Sequence, residues 1–294
     1  MNSNQSRLLS FLSKAARGEA EMSPRTLDKF AQYARDAMEK QFTKRGDDFT
    51  LRMSNIGRPS CQLHLQAKGL KPETPTYDFK MRMIMGDLME AAMFTLMEAA
   101  GINIKSKHTK VSYDADGTPI NGEYDIELDD GIWDIKTASP FAFEHKFNSS
   151  DGYNKIKAND SFGYVAQGIG YGMGAGKPFK GWIALNKSTG EIAFTEAPDN
   201  EPEKEEVNDK IQESISAIDT TKPFKRQFSD VPESFYKKET GNRVLGIECS
   251  WCDYKKHCWK NLEFRRQLPS KGKNPKYVWY THITDEWRDT DATI

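Results

Sequence analysis

The sequence has few cysteines, no long apolar run and almost no net charge. Hydrophobic residues make up 37% of the 294 residues and charged residues 29%, a balance typical of soluble globular proteins. No run approaches the roughly 20 apolar residues that a membrane span needs, so a membrane protein is not expected. The N-terminal segment also lacks the apolar core of a secretory signal. Both absences predict a protein of the reducing cytoplasm.

The charges are unevenly distributed, although the net charge of −1 does not by itself indicate a nucleic-acid-binding protein. Towards the C-terminus, basic residues alternate with aromatic ones: Lys255, Lys256, Lys260, Arg265, Arg266, Lys271, Lys273 and Lys276, with Trp259, Phe264, Tyr277, Trp279 and Tyr280. Such a stretch is suited to following a phosphate backbone and stacking bases. A solvated surface with some packed aromatic rings explains the pattern equally well.

The order of predicted elements indicates an α/β core with helical additions at both ends. Ser23-Pro24 is a favourable helix start, and a second strong helix is predicted from Phe79 to Ala100, where Gly101 ends it. The elements predicted after it are three strands, a helix and a hairpin: 102–113, 119–128, 131–137, 160–174 and the segments WIALN and EIAFTEA.

The segment NGEYDIELDDGIWDIKTAS predicts a β-hairpin with one charged face. Asp130-Gly131 is a favoured two-residue turn, and apolar residues alternate with charged residues on both sides of it. An even-length loop pairs odd-numbered positions of the first strand with even-numbered positions of the second, and cross-strand partners share a face. Four charged side chains are therefore predicted to project together: Asp125, Glu127, Asp134 and Lys136.

Three carboxylates and one ammonium on one face favour a divalent cation. Clustered carboxylates repel each other unless a cation lies between them. Their oxygens suit Mg²⁺ or Mn²⁺, which activate water and neutralise a phosphate, and a neighbouring lysine can orient the attacking water. A hairpin with a charged solvent face is the alternative at this point, because such strands are common.

Four short motifs, in this order, resemble the RecB-like branch of the PD-(D/E)XK nuclease superfamily. Gly122-Glu123-Tyr124-Asp125 followed by Asp134-Ile135-Lys136 is similar to its G-x-x-D … D-x-K signature. Glu90 on the preceding predicted helix, and the Q-x-x-x-Y pair Gln167 and Tyr171, resemble two further motifs. A spacing of four places that pair on one helix face. Each motif alone is common, whereas the ordered set is specific.

The cysteines predict a metal centre. Three lie close together near the C-terminus and one lies far upstream: Cys249, Cys252, Cys258 and Cys61. In a reducing compartment, this spacing favours metal binding over disulfides. The arrangement resembles the four-cysteine 4Fe–4S site of iron–sulfur members of the RecB-like branch, including CRISPR-associated exonucleases. Zn²⁺ is the alternative, with His257 or His64 able to replace one thiolate.

The resemblance implies a fold and an activity. The implied fold is a restriction-endonuclease-like core, a central mixed sheet flanked by helices, over residues 55–222. A helical region (1–54) precedes it, and a cysteine-rich, basic segment (223–294) follows and closes the iron–sulfur site. The implied activity is hydrolysis of DNA with Mg²⁺ or Mn²⁺, as an exonuclease on ends or single strands, in recombination or repair. A phage-encoded enzyme working in a host cytoplasm is compatible with it.

The resemblance also implies roles for residues. The implied metal ligands are three carboxylates and one backbone carbonyl: Glu90, Asp125, Asp134 and Ile135. Lys136 would orient and activate the attacking water, and Gln167 and Tyr171 would support that lysine or hold the DNA backbone. Many iron–sulfur relatives have a histidine at the position of Glu90. A carboxylate there favours Mg²⁺ more than an imidazole does. Alternatives are a structure-specific endonuclease and a non-catalytic DNA-binding scaffold; no membrane partner is expected.

Overall fold

The structure, a computed structural model, describes residues 2–43, 46, 49–160 and 162–288. Parts of the predicted segments 1–54, 160–174 and 223–294 fall on residues outside these ranges. The chain divides into a larger unit, Met1–Arg58 with Pro75–Ile215, and a smaller unit, Pro59–Thr74 with Ser216–Ile294. This division differs from boundaries at 54 and 222, because residues 59–74 make their contacts with the C-terminal part of the chain.

The helices confirm most of the predicted helical segments within one to four residues at each end. In chain order they are α1 (Ser3–Ala16), α2 (Pro24–Phe42), α3 (Ser60–Ala67), α4 (Tyr77–Ala99), α5 (Pro140–Ala142), α6 (Gly152–Ala158), α7 (Tyr164–Ala175), α8 (Glu201–Ala217), α9 (Ile247–Ser250), α10 (Lys255–Cys258) and α11 (Asp285–Arg288). Ser23 caps α2 by accepting a hydrogen bond from Thr26 N at 3.1 Å, and Pro24 occupies the first turn. Among the described helices, none is both long and apolar enough to cross a membrane.

The larger unit is built on a mixed β-sheet flanked by helices, as predicted. Its strands lie side by side in chain order: β1 (Ser106–Ala115), β2 (Thr118–Leu128), β3 (Gly131–Ala138), β4 (Phe179–Asn186) and β5 (Ile192–Glu196). β3 and β4 are parallel, and the other neighbouring pairs are antiparallel. Parallel neighbours need a long crossover, and α5, α6 and α7 provide it.

One face of this sheet is buried under α1 and α4. Leu8 of α1 and Phe94 of α4 share an apolar core with Ile126, Trp133 and Ile135 of the sheet. Because side chains alternate along a strand, the burial of Trp133 and Ile135 directs the side chain between them to the opposite face. The apolar half of the charged hairpin is thus the half that fixes it to the helices.

Helix α7 approaches the opposite face closely through a glycine. A Cβ atom at Gly168 would lie 2.2 Å from Cζ of Phe179 on β4, a distance that atoms do not occupy. The absence of a side chain therefore lets this helix lie near the strands. The same helix carries the predicted Gln167 and Tyr171, and its distance from the sheet decides whether they reach the charged face.

The β2–β3 hairpin pairs positions of opposite parity, as predicted from its alternation. Ile126 pairs with Trp133, and Leu128 pairs with Gly131, so positions of opposite parity face each other. The turn itself lies one residue earlier than predicted, at Asp129-Asp130. A shift that keeps two turn residues preserves the parity, which is why the faces are as expected.

Gly131 is required by β4 and not by the turn. Its φ is 138°, and a Cβ atom there would lie 2.5 Å from the carbonyl oxygen of Pro178. The Asp-Gly pair suggested the turn position from local preference alone. The neighbouring strand, which the local sequence does not reveal, sets the actual role of the glycine.

The smaller unit contains an antiparallel sheet that the sequence analysis did not predict. Its strand order is β6-β7-β9-β8, with bounds β6 (Asp230–Phe235), β7 (Lys238–Leu245), β8 (Glu263–Arg266) and β9 (Tyr277–His282). Leu268, Tyr280 and Ile283 form its buried apolar cluster. Short strands interrupted by charges give little periodic signal, which explains why they were missed.

A buried carboxylate organises the interior of this sheet. Glu233 is almost fully buried and accepts hydrogen bonds from Tyr280 Oη at 2.5 Å, Thr240 Oγ1 at 2.7 Å and Asn242 Nδ2 at 2.9 Å. Several donors offset the cost of burying a charge, whereas a single unmatched carboxylate would destabilise the fold. The network joins β6, β7 and β9.

Replacing Gly131 by alanine is expected to destabilise the larger unit by about 3 kcal/mol, through backbone strain and overpacking against Pro178. Gly117→Ala in the β1–β2 turn is the matched control. Its φ is also positive, at 84°, but no atom lies within 4 Å of the added Cβ, so a loss of about 1–2 kcal/mol is expected from strain alone. Urea unfolding of both variants measures the difference, and equal losses would contradict the close approach.

Candidate active site

The charged face of the β2–β3 hairpin brings together three of the predicted site residues. Lys136 Nζ lies 2.5 Å from Asp134 Oδ2, and Asp125 Oδ2 accepts a hydrogen bond from Ile135 N at 2.7 Å. Asp134 is only 2% exposed, and its Oδ2 has the ion pair but no hydrogen bond of regular geometry. Two acidic side chains and one ammonium therefore lie together in an environment with little water.

Burial and mutual repulsion disturb the protonation of these groups. Burial raises the pKa of Asp134 to about 7; Lys136 opposes this rise, and Asp125 adds to it. Burial likewise raises the pKa of Asp125, again against the effect of Lys136. Burial alone would lower the pKa of Lys136, but the two carboxylates raise it above its usual value, so the ammonium stays protonated. One lysine thus offsets only part of the negative charge.

Glu90 joins this cluster from helix α4. Burial raises its pKa well above the usual value, and Asp125, Asp87 and Asp134 contribute to the rise, while Lys40 opposes it. Glu90, Asp87 and Lys40 line a cavity of about 240 Å³. The sequence predicted Glu90 from its place on the preceding helix, and the structure places it within electrostatic reach of both hairpin aspartates.

His108 on β1 is a neighbour of Glu90 that the sequence analysis missed. Its Nε2 lies 3.3 Å from Glu90 Oε1, and its Nδ1 lies 3.7 Å from Glu123 Oε1. Burial lowers the pKa of His108, and Lys40 lowers it further. The backbone φ of 47° at this residue marks a local irregularity in β1. No motif includes it, because only the pairing of β1 with β2 brings it to the site.

Gln167 and Tyr171 interact with each other, as their spacing predicted. Gln167 Nε2 donates a hydrogen bond to Tyr171 Oη at 2.6 Å. Burial raises the pKa of Tyr171, with a further contribution from Asp134. Gly122 of the G-x-x-D motif makes room for this ring, because a Cβ atom there would lie 2.7 Å from Tyr171 Cε1. The glycine and the tyrosine of two separate motifs are thus in contact.

Tyr164, at the start of α7, covers the lysine. Lys136 Nζ lies 5.1 Å from the centre of the Tyr164 ring, a cation–π arrangement. The Phe162 ring stacks on the Tyr164 ring, with the two ring centres 5.5 Å apart, and Phe162 is 66% exposed. Asp160 caps the helix by accepting hydrogen bonds from the next backbone N–H groups, at 2.7 Å from Tyr164 N and 2.9 Å from Val165 N. Aromatic rings therefore extend outwards from the ammonium.

Glu127, which was predicted to project with this group, has other partners. Lys177 Nζ contacts both of its carboxylate oxygens at 2.8 Å, and Ser106 and Tyr124 donate hydrogen bonds to it. Its pKa is lowered, with the bond from Lys177 as the main cause. This carboxylate is already neutralised at the end of the hairpin, so it forms a structural ion pair apart from the candidate site.

All four cysteines lie in the smaller unit, and none forms a disulfide. They occur on α3, α9, the turn after α9 and the end of α10: Cys61, Cys249, Cys252 and Cys258. Burial raises the pKa of Cys258 to about 12, and the other three thiols contribute to this rise. Cys252 Sγ accepts a hydrogen bond from Tyr254 N at 3.4 Å. The thiols thus influence one another without forming one compact group.

Among the residues that the structure describes, no three or more histidine, cysteine, aspartate and glutamate side chains stand together at the spacing of a metal site. In the hairpin, the positive charge beside Asp134 comes from Lys136. The two histidines considered as zinc ligands make other contacts: His64 Nδ1 lies 3.0 Å from Ala217 O, and His257 Nε2 lies 2.8 Å from Lys71 O. Each contact uses one ring nitrogen and leaves the other for a metal, and His64 Nε2 is buried without a hydrogen-bond partner, so Zn²⁺ ligation by histidine stays an alternative.

Comparison with known proteins gives a weak structural likeness and no family. No protein-family model matches the chain, and none of the curated proteins matches it. Among solved structures, the crystal structure of SSO0001 matches with 11% sequence identity and a TM-score of 0.38, covering 63% of this chain and 85% of that one. A likeness this low carries no argument about activity.

In EDTA, the free energy of unfolding of Asp134→Asn relative to the wild type is expected to be more favourable at pH 8 than at pH 5, although the variant loses the ion pair with Lys136 at both pH values. The folded-state pKa of about 7 lies above the value of about 4 in an unfolded chain, so the protonated carboxyl favours folding. This contribution is full below pH 4 and is lost as the pH rises through 7. Asparagine cannot ionise, so the variant does not lose this stability as the pH rises. Urea unfolding of both proteins at the two pH values measures this difference, and a difference no more favourable to the variant at pH 8 would contradict the raised pKa.

Proposed function

We propose that the protein is a divalent-metal-dependent deoxyribonuclease with a PD-(D/E)XK core. The observation that carries the proposal is the buried acidic set of Asp125, Asp134 and Glu90, with Lys136 paired to Asp134 and Lys40 near Glu90. Burial and mutual repulsion raise the pKa values of all three acids, so they would ionise together only with a cation between them. Metal-dependent phosphodiester hydrolysis uses this combination of oxygen ligands and lysine.

Each side chain has a role that its position supports. Glu90, Asp125, Asp134 and the Ile135 carbonyl would hold Mg²⁺ or Mn²⁺, which supplies activation of water and neutralisation of phosphate charge when bound. Lys136, kept protonated by its acidic neighbours, would orient the attacking water and stabilise the developing charge. Tyr171, fixed by Gln167, would direct its hydroxyl towards the lysine or a phosphate oxygen.

The fold class agrees with this proposal but does not decide it. A helix bearing Glu90, an antiparallel hairpin bearing two aspartates and the lysine, and a later helix bearing Gln167 and Tyr171 follow in the order that the sequence motifs imply. DNA is the proposed substrate on the basis of the resemblance. An exonuclease acting on ends or single strands is favoured over an endonuclease for the same reason.

Lys136→Ala and Asp134→Ala are each expected to lower metal-dependent DNA cleavage by about 100-fold or more, because each removes charge stabilisation at the phosphate. End-labelled single- and double-stranded DNA, incubated with Mg²⁺, Mn²⁺ or EDTA, reports both the rate and the direction of digestion. Mononucleotides or short products would indicate the exonuclease mode, and internal cuts the endonuclease mode.

Lys177→Ala is the matched control for the lysine variant. It removes a lysine paired with a carboxylate of the same hairpin, Glu127, outside the proposed site. The control is expected to cleave like the wild-type protein. Undiminished cleavage by both site variants would reject the assignment, and binding of DNA without any metal-dependent cleavage would favour a non-catalytic scaffold.

We also propose that the four cysteines hold a structural 4Fe–4S cluster. The donor set fits: the thiols are free, lie in one unit and are on the whole shielded from water, and a backbone N–H reaches Cys252 Sγ. Burial raises the pKa of both Cys249 and Cys258, and Arg226 opposes only part of this rise, so a bound metal would have to stabilise the thiolates. The side chains would have to draw closer to share one centre, and Zn²⁺ on the same thiolates is the competing assignment.

Anaerobic purification is expected to give a coloured protein with iron and acid-labile sulfide, and Cys258→Ala is expected to lose both. A cluster bound by the four thiols would link α3, α9 and α10, so its loss in the variant should also lower the urea concentration at which the smaller unit unfolds. Elemental analysis separates the two metals. A colourless wild-type preparation with stoichiometric zinc would contradict the cluster, and Lys136→Ala, which lies in the larger unit, is expected to retain the iron.

A further inference from the structure

We propose that the exposed face of the smaller sheet binds single-stranded nucleic acid by stacking bases on Phe264, Tyr277 and Trp279. The proposal relies on the proposed nuclease function only for the class of ligand. It concerns residues of the smaller unit alone, and it selects among the basic and aromatic residues of the C-terminal stretch by where their side chains lie.

The pairing of β8 with β9 gathers the three rings. Phe264 is the cross-strand partner of Trp279, and Tyr277 lies two residues before Trp279 on the same strand, so all three share one face. The ring centres of Phe264 and Trp279 are 4.7 Å apart, and those of Phe264 and Tyr277 are 5.5 Å apart. The planes of these ring pairs are inclined to each other by 36° and 37°.

The opposite face of the same strands is the buried one. Val278 and Tyr280, which alternate with the ring-bearing positions, pack in the apolar cluster with Leu268 and Ile283. The aromatic face is therefore the outer face, where an antiparallel sheet usually carries polar side chains; Trp279 is half-buried there beside α10. Phe264 is 49% exposed and Tyr277 is 40% exposed. Exposed aromatic rings grouped on one face indicate a binding surface.

The charge around this face matches a polyanion. Lys256 of α10 is exposed, and its ammonium group lies 5.5 Å from the centre of the Trp279 ring. Lys255, at 5.1 Å from the same ring, is buried and paired with Glu73, so it positions α10 and is not available to a phosphate. The loop between β8 and β9 adds exposed lysines. The exposed lysines between positions 255 and 280 are Lys256, Lys260, Lys271, Lys273 and Lys276, and the acidic residue of this stretch, Glu263, is paired with Arg265.

Single-stranded nucleic acid uses both features at once. Bases that are not paired can stack on aromatic side chains, while the phosphates interact with the lysines. A paired duplex keeps its bases stacked on one another and would use only the charge. An acidic peptide would likewise use the lysines and leave the rings exposed. Single-stranded DNA or RNA is therefore the ligand that this face fits.

The test is the affinity for fluorescently labelled oligothymidine in EDTA, where no metal-dependent cleavage occurs, measured by anisotropy. Phe264→Leu and Tyr277→Leu keep an apolar side chain and remove the ring. Each is expected to weaken binding by about tenfold, the effect of losing one stacked base. Lys276→Ala, which removes an exposed lysine next to Tyr277 in the chain, is expected to reduce the dependence of the affinity on salt, because one phosphate contact is lost.

Tyr236→Leu is the matched control. It removes an aromatic ring that is 87% exposed in the same unit but lies at the β6–β7 turn, and its affinity for oligothymidine is expected to equal that of the wild type. Circular dichroism of each variant verifies the fold. Unchanged affinity in both ring variants would overturn the proposal, as would wild-type protein that binds a labelled polyglutamate peptide and no oligothymidine.

The two proposals fail in different ways. A protein that cleaves DNA with Mg²⁺ but binds oligothymidine equally well in all variants would reject the stacking face and keep the nuclease. A protein without cleavage whose binding falls in the ring variants would reject the nuclease and keep the face. Comparing oligothymidine with oligouridine separates DNA from RNA, and a preference for either supports a single-strand site.

Discussion

The repulsion between buried carboxylates at the β2–β3 hairpin is the constraint on which the larger unit depends. Asp125 and Asp134 are held together by strand pairing and the hydrogen bond from Ile135 N, not by attraction for each other. Lys136 offsets part of their charge, and a buried ion pair of this kind contributes little net stability. Apolar packing on the other face must therefore hold the hairpin in place.

Side chains alternate between the two faces of a β-strand, and this alternation links the carboxylate repulsion on one face to the apolar packing on the other. Trp133 and Ile135 bury against α1 and α4, and the same backbone period directs Asp134 and Lys136 to the charged face. A shift of register by one residue would exchange the two sets and expose the apolar one. The core thus stabilises the fold and also determines which side chains meet at the site.

The parts predicted correctly from sequence are those that local periodicity determines. The shared face of the hairpin residues follows from alternation, and the contact of Gln167 with Tyr171 follows from a spacing of four. His108 was missed because only the pairing of distant strands brings it to Glu90. The role of Gly131 was misassigned because the atom that forbids a side chain there belongs to Pro178, on another segment.

The smaller unit was the harder part to predict for the same reason. Its sheet is assembled from strands of four to eight residues, and Glu233 binds groups from two other strands. Residues 59–74 join it from far upstream in the chain. No window of local sequence contains these partners, so composition alone pointed to a basic, cysteine-rich segment without a fold.

Helix α10 joins the two proposals made for the smaller unit. With four residues it is too short to be stable alone and needs anchors at both ends. Glu73 and the Trp279 ring hold its lysines, and its last residue is Cys258. A metal centre that fixes Cys258 would therefore also fix Lys255 and Lys256 over the aromatic face. The thiols would then act on nucleic-acid binding through position, without taking part in any redox step.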